Sequence, residues 1–182
     1  DECFILKGYA GTGKTTILGA LTKALRSYNF KCVLLAPTGS AAQVITASSG
    51  RKAFTIHKKI YRKKAAFNVD EGFSIGDNIA DNTLFIVDEA SMISDDIGIG
   101  HKASLLFDLV NYTYNTKNCK LMLVGDTAQL PPVGSDDSPA LNPKLMKDRF
   151  GLDIYTDDLT DVLRQQKYSG ILYNVTRVRD II

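Results

Sequence analysis

The chain has 182 residues, the length of one domain, and its 45% hydrophobic and 23% charged residues are ordinary for a globular protein. A net charge of +2 leaves any nucleic-acid surface to local patches rather than to a global field. No apolar run approaches the roughly 20 residues of a membrane-spanning helix, and three cysteines without a Cys-x-x-Cys pair point to buried free thiols in a reducing, cytoplasmic setting rather than to a metal centre.

Residues 3–6 are a short apolar run of strand type that leads into Gly8-Tyr9-Ala10-Gly11-Thr12-Gly13-Lys14-Thr15-Thr16. After Lys14, apolar residues at Ile17, Leu21, Ala24, Leu25 and Tyr28 fall at helical spacing. Gly8, Gly13, Lys14 and Thr15 stand where G-x-x-x-x-G-K-[ST] requires them, between a strand and a helix, as in a phosphate-binding loop. Lys31–Ala36 is a continuous apolar run of buried parallel-strand type, ended by Pro37. Thr38 opens a helical stretch that fades near Gly50. Residues 55–61 predict a short helix with Thr55 as its N-cap. Residues 51–64 hold seven of the 22 lysines and arginines, either a nucleic-acid patch or a solvated helix face.

Phe67-Asn68-Val69 and Phe73-Ser74-Ile75 alternate around Asp70-Glu71-Gly72, the pattern of a hairpin with a three-residue loop or else a surface loop. Residues 76–82 read as loop. Thr83–Val87 is a further buried strand, and it ends in Asp88-Glu89-Ala90-Ser91-Met92. Ser94-Asp95-Asp96 is a helix start that Gly98 and Gly100 break. Residues 102–114 form a clearer helix and residues 120–124 another strand, followed by Gly125-Asp126-Thr127-Ala128-Gln129-Leu130-Pro131-Pro132-Val133. Residues 135–142 read as loop, 145–150 as helix, Ile154-Tyr155 as a short strand, and 169–182 have helical spacing.

Strands alternating with helices imply an α/β fold whose parallel sheet is covered by helices on both faces. Ligands in such folds bind beyond the carboxyl ends of the strands. Gly8, Pro37, Asp88 and Gly125 each follow a strand, so they are expected to converge on one edge of the sheet.

Gly8, Gly11 and Gly13 allow the backbone to curl until several N–H groups face one anion, and the helix N-terminus adds its partial positive charge there. Lys14 can bridge the outer phosphates, and the Thr15 hydroxyl can hold Mg²⁺. Asp88 can hold the same ion while Glu89 orients and deprotonates a water. Two adjacent carboxylates are costly without a cation, though a solvated acidic turn is the alternative. Gln129 suits a terminal phosphate or the lytic water, because an amide both donates and accepts. Asn115-Thr116-Lys117-Asn118 lacks the order and the aspartate of a guanine reader, so ATP is expected rather than GTP.

The ordered set G-Y-A-G-T-G-K-T-T, A-P-T-G-S-A-A, T-I-H-K, D-E-A-S-M, G-D-T-A-Q-L-P-P-V and L-R-Q resembles the first RecA-like domain of a superfamily-one DNA helicase. Within that group it resembles the RecD-like branch, which includes the exonuclease V alpha subunit, over residues 4–179. The resemblance implies a P-loop NTPase with ATP and Mg²⁺ as cofactors. Gly8, Gly11, Thr12, Gly13, Lys14, Thr15 and Thr16 would surround the phosphates, and Thr15 and Asp88 would hold the metal. Lys14, Glu89, Gln129 and Arg164 would be catalytic, Arg164 reaching the terminal phosphate from near the junction with a second RecA-like domain. Pro37, Thr38, Gly39, Thr55, His57 and Lys58 would contact single-stranded DNA. By itself His57 reads as a packing histidine; its place in T-I-H-K assigns it to the strand.

Residues 58–82 would be a small basic hairpin insertion, which separates strands in relatives. The chain starts on a strand without methionine and shows no second set of motor motifs. It is therefore expected to be one domain, 1–182, of a larger helicase that moves 5′ to 3′ in a recombination or replication complex. A nucleic-acid binding module with a vestigial ATP site is an alternative that intact Lys14, Thr15, Asp88, Glu89 and Gln129 oppose. A clamp-loader-type ATPase is another, opposed by Gly125-Asp126 where an asparagine would be favoured.

Overall fold

Alternation along the central strands dictates a sheet with two buried faces. In a computed structural model of the chain, Leu34, Ala36, Ile86, Met122 and Val124 enter one core cluster, while Leu35, Phe85, Val87, Leu121 and Leu123 enter the other. The structure describes residues 1–63, 73–97, 103–129, 131–132, 135 and 137–160. The segment 67–69, Val133, Arg164 and the helical spacing at 169–182 lie outside the described residues.

The elements follow in the order β1 (Glu2–Gly8), α1 (Lys14–Ser27), β2 (Lys31–Ala36), α2 (Gly39–Ser49), β3 (Ala53–Thr55), α3 (Ile56–Ile60), β4 (Tyr61–Lys63) and β5 (Phe73–Ile75). Then come β6 (Thr83–Val87), α4 (Leu105–Tyr114), β7 (Cys119–Gly125), α5 (Pro143–Phe150) and β8 (Asp153–Leu159). Six strands form one sheet in the order β3-β2-β6-β7-β1-β8. Every pair in it is parallel. Helices α1 and α2 cover one face through Leu18, Ala42 and Ile45. Helices α3, α4 and α5 cover the other through Ile56, Ile60, Leu106, Leu109 and Met146. Phe85 is fully buried there, edge-on to Tyr112 with ring centroids 5.9 Å apart. Truncating such a residue to alanine costs about 3–5 kcal/mol.

Local chemistry sets the helix starts. Thr38, Thr55, Ser104 and Asn142 each accept a backbone N–H three residues on, at 3.1–3.2 Å. The short helix after Thr55 ends at Ile60, because Tyr61 turns extended and begins β4.

Several expectations change. Phe73–Ile75 pairs antiparallel with Tyr61–Lys63, in the register Tyr61↔Ile75 and Lys63↔Phe73, while the 67–69 half of the expected hairpin lies outside the described residues. The pairing is closed by Gly76, whose N–H donates to the Ile60 carbonyl at 2.7 Å. Ser94-Asp95-Asp96 starts no helix. Instead a 3-10 turn forms over Ala90–Met92, and Asp95 accepts from Ser104 Oγ at 2.8 Å and pairs with Arg149. The expected loop at 135–142 contains a 3-10 turn over Pro139–Leu141. The strand expected at Ile154-Tyr155 runs from Asp153 to Leu159, because it pairs with the whole of β1. Among the described residues, no helix is long and apolar enough to cross a membrane.

Candidate functional site

The carboxyl ends of β1, β2, β3, β6 and β7 share one edge of the sheet, as their registers require: Lys7 lies opposite Gly125, Val87 opposite Leu123 and Leu35, and Ala36 opposite Thr55. The loops that follow therefore bring Gly8, Pro37, Asp88 and Gly125 to the same edge.

After β1 the chain folds back over its own end. A Cβ at Gly8 would lie 2.7 Å from Thr12 Oγ1 and 3.0 Å from Leu159 Cβ, so the fold-back admits no side chain. Gly11 and Gly13 have φ of 86° and 88°, the left-handed region that glycine occupies without strain. Thr12 closes the turn: its N–H and its hydroxyl both donate to the Tyr9 carbonyl, at 3.2 and 2.8 Å. The Lys14 ammonium bends back over the loop and donates to the carbonyls of Gly8 and Tyr9, at 2.5 and 3.0 Å.

Helix α1 starts from this loop without a side-chain cap. The other α-helices described each have one. The open N–H groups of its first turn are donors waiting for an acceptor, with the positive end of the helix dipole behind them. They border a cavity of about 400 Å³ lined by residues 10–17 together with Asp88, Glu89 and Gln129.

Asp88, at 6% exposure, accepts the Glu89 N–H on Oδ1 at 2.9 Å. Burial holds its carboxyl above the usual range, partly offset by that bond and by the Lys14 charge. Glu89 has φ of 55°, left-handed for a residue with a side chain. Its carboxyl is also raised, first by burial and then by the Asp88 charge. Glu89 Oε2 is buried with no hydrogen-bond partner among the described residues.

Gln129 lies beside Glu89 and favours its charged form, while its Oε1 accepts from Ser91 Oγ at 3.3 Å. Its loop is held by Asp126, which is buried and accepts the Ala128 N–H at 2.9 Å. Gly125 lets this loop press on the acidic one: a Cβ there would lie 2.7 Å from Leu141 Cδ1 and 3.1 Å from the Ser91 nitrogen.

A polyphosphate with a divalent cation fits these residues. The uncapped helix and the mobile ammonium answer the anion, and the paired carboxylates, one with an orphaned oxygen, answer the cation. Among the described residues, no group of three or more His, Cys, Asp or Glu is placed to hold a metal ion by itself. Magnesium needs none, since one or two carboxylates, waters and phosphate oxygens fill its coordination.

The other expected residues stand at the ends of the next strands along the same edge of the sheet. Pro37, Thr38 and Gly39 follow β2, Thr55 ends its neighbour β3, and His57 and Lys58 follow in α3. Gly39, His57 and Lys58 are exposed. A Cβ at Gly39 would meet nothing within 4 Å, so the surface there is open. The His57 ring lies 5.5 Å from that of Tyr61. Of the expected site residues, Arg164 alone lies outside the described residues. Ser91 and Asp126 were missed by sequence reasoning. Each stands inside a motif, yet its role is a contact made across the site, which spacing does not report.

The chain matches the model of a family described as an AAA domain over residues 1–180. It is 33% identical over 129 residues to the ATP-dependent RecD2 DNA helicase of Deinococcus radiodurans, an alignment covering 71% of this chain and 16% of that protein. It is 28% identical over 162 residues to the ATP-dependent DNA helicase dda of Enterobacteria phage T4, covering 87% of this chain and 34% of that one. Among solved structures, the Pif1 helicase from Candida albicans aligns over 98% of this chain and 40% of its own, with a TM-score of 0.61 and 22% identity. Bacteroides sp Pif1 in complex with ADP-AlF4 aligns over 97% and 41%, with a TM-score of 0.53 and 20% identity. At those identities the likeness is one of fold. The chain belongs to the AAA-domain family, and its fold is that of an α/β RecA-like P-loop NTPase.

Proposed function

We propose that this chain is the nucleotide-binding domain of an ATP-driven DNA helicase, and that its parent protein moves 5′ to 3′ on single-stranded DNA. The observation that carries the reading is that the uncapped N-terminus of α1 and Glu89, whose Oε2 has no partner among the described residues, line one cavity. Gly8, Gly11, Thr12, Gly13 and Thr16 form the cradle. Lys14 exchanges its two carbonyl partners for the outer phosphates. Thr15 and Asp88 would hold Mg²⁺. Bound Mg-ATP supplies the phosphoanhydride whose hydrolysis drives the motor. Glu89 takes the proton from the attacking water, a task suited to a carboxyl raised by burial. Gln129, anchored by Ser91, orients that water.

In this reading residues 1–182 are a single motor domain with a basic insertion at 58–82. A second RecA-like domain of the parent closes the cleft, and Arg164 reaches the terminal phosphate from near that junction. Pro37, Thr38, Gly39, Thr55, His57 and Lys58 hold the DNA backbone. The setting is cytoplasmic, in a recombination or replication complex.

The test compares ATP hydrolysis by this chain and by its parent, with and without single-stranded DNA. The chain alone should bind Mg-ATP weakly and hydrolyse it slowly, since arginines brought across such a cleft contribute about 10³–10⁵ in rate. DNA-stimulated hydrolysis by the chain at the parent's rate, with a monomer confirmed by sedimentation, would overturn the two-domain reading. A parent that binds no ATP would overturn the function.

A further inference from the structure

The two-stranded β4–β5 arm is short, and an isolated pair of three-residue strands has little stability of its own. Both of its legs are nevertheless tied to one helix by buried polar contacts. On the entering leg, the Tyr61 hydroxyl donates to Asp108 Oδ2 at 2.6 Å, linking residues 47 apart. Tyr61 is 8% exposed and Asp108 5%. Burial, then the bond to Asp108, raises the phenol far above neutral pH, so Tyr61 is always the donor.

On the leaving leg, Asn78 is 4% exposed. Its amide donates to the carbonyls of Tyr112 and Thr113, at 2.9 and 3.3 Å, and to Thr116 Oγ1 at 3.1 Å. Those carbonyls belong to the last turn of α4, where no helical N–H remains to satisfy them. Asp108 stands in the first turn. The arm is thus held at both ends of α4.

The arm's root adjoins the candidate DNA residues in the chain and carries basic side chains of its own. The Tyr61 ring backs that of His57. Arg62 Nη1 donates to the carbonyls of Lys59 and Tyr61, at 3.1 and 3.0 Å. Gly76 makes room for its stem, since a Cβ there would lie 2.9 Å from Arg62 Cγ. The root is therefore a preset surface, with Lys58 and Arg62 exposed on it.

We propose that Tyr61 and Asn78 are positioning residues that clamp the β4–β5 arm to α4, so that His57, Lys58 and Arg62 meet single-stranded nucleic acid in one fixed arrangement. The proposal rests on the helicase reading above and adds what holds its DNA-binding face in place. Preorganisation of this kind shows in affinity, because an unclamped root must be ordered on binding.

The test uses the parent protein carrying Tyr61→Phe, Asn78→Ala or Asp108→Asn. Tyr61→Phe keeps the ring and removes one donor. The single-stranded DNA concentration that half-stimulates ATP hydrolysis should rise about fivefold, while kcat at saturating DNA stays within about twofold. Asn78→Ala should act in the same direction. Asp108→Asn keeps an acceptor for the phenol and should behave as wild type. Exchange of the Gly76 amide should quicken about tenfold in Tyr61→Phe and remain unchanged in Asp108→Asn.

Wild-type half-stimulation in Tyr61→Phe, an equal defect in Asp108→Asn, or unaltered Gly76 exchange would overturn the proposal. A wild-type parent that DNA does not stimulate at all would instead overturn the helicase reading, and the exchange measurement would still decide whether the clamp exists.

Discussion

Replacing Glu89 by Gln should stabilise the nucleotide-free chain while stopping its chemistry. The wild type holds two adjacent carboxylates at a strand end, and Glu89 Oε2 has no hydrogen-bond partner among the described residues. An unsatisfied buried polar group costs about 1–3 kcal/mol, and more when charged. Glutamine keeps the shape and removes the charge, so a gain of about 1 kcal/mol is expected at neutral pH. For a domain of this size that raises Tm by about 2–4 °C.

The sign with pH follows from the raised carboxyl of Glu89, caused first by burial and then by Asp88. A folded pKa above the unfolded one gives stability that is present below the unfolded value and lost as pH rises through the folded one. The variant lacks that titration. Its advantage should therefore vanish below about pH 4.3, the unfolded glutamate value, and grow to its full size above the raised one. Thermal unfolding from acid to neutral pH, without nucleotide, reads this directly. Turnover by the parent should fall about a hundredfold, the scale of losing a general base. A Tm unchanged or lowered at neutral pH, or a gain that does not depend on pH, would refute the reasoning. So would near-normal turnover.

Lys14→Ala should weaken ATP binding by about 1.5–3 kcal/mol, because it removes the mobile cation of the loop; titration calorimetry showing a Kd within twofold of wild type would remove Lys14 from the phosphate site. Gly125→Ala should cost about 1–3 kcal/mol by overpacking against Leu141 and the Ser91 backbone nitrogen. Adding Leu141→Ala should recover part of the Tm but not the turnover, since the contact with the backbone remains; recovery of both would show that Ser91 plays no part. Lys58→Ala should weaken single-strand binding and lower the slope of log K against log salt by about 0.7, the value for one phosphate contact on a single strand. An unchanged slope would make Lys58 a solvated surface residue.

What the amino-acid sequence determined by itself was local. Gly11 and Gly13 announce their left-handed backbone, Thr38 and Thr55 announce the helices they cap, and the apolar runs at Lys31–Ala36 and Thr83–Val87 announce buried parallel strands. Each signal acts through neighbours within about four residues, where backbone chemistry allows few choices. The convergence of the site followed as well, because a parallel sheet brings every strand's carboxyl end to one edge. The tertiary structure decided the rest. β8 is seven residues long because β1 offers it a full parallel partner, although Asp153, Thr156, Asp157 and Asp158 make most of it polar. Phe73–Ile75 takes Tyr61–Lys63 as its partner, and the Tyr61 hydroxyl finds Asp108 on α4. Ser91 meets Gln129 across 38 residues, and Glu89 is left with an oxygen that nothing among the described residues satisfies. These contacts depend on which distant groups packing brings together once the chain entropy of closing long loops has been overcome, and no spacing along the chain records that.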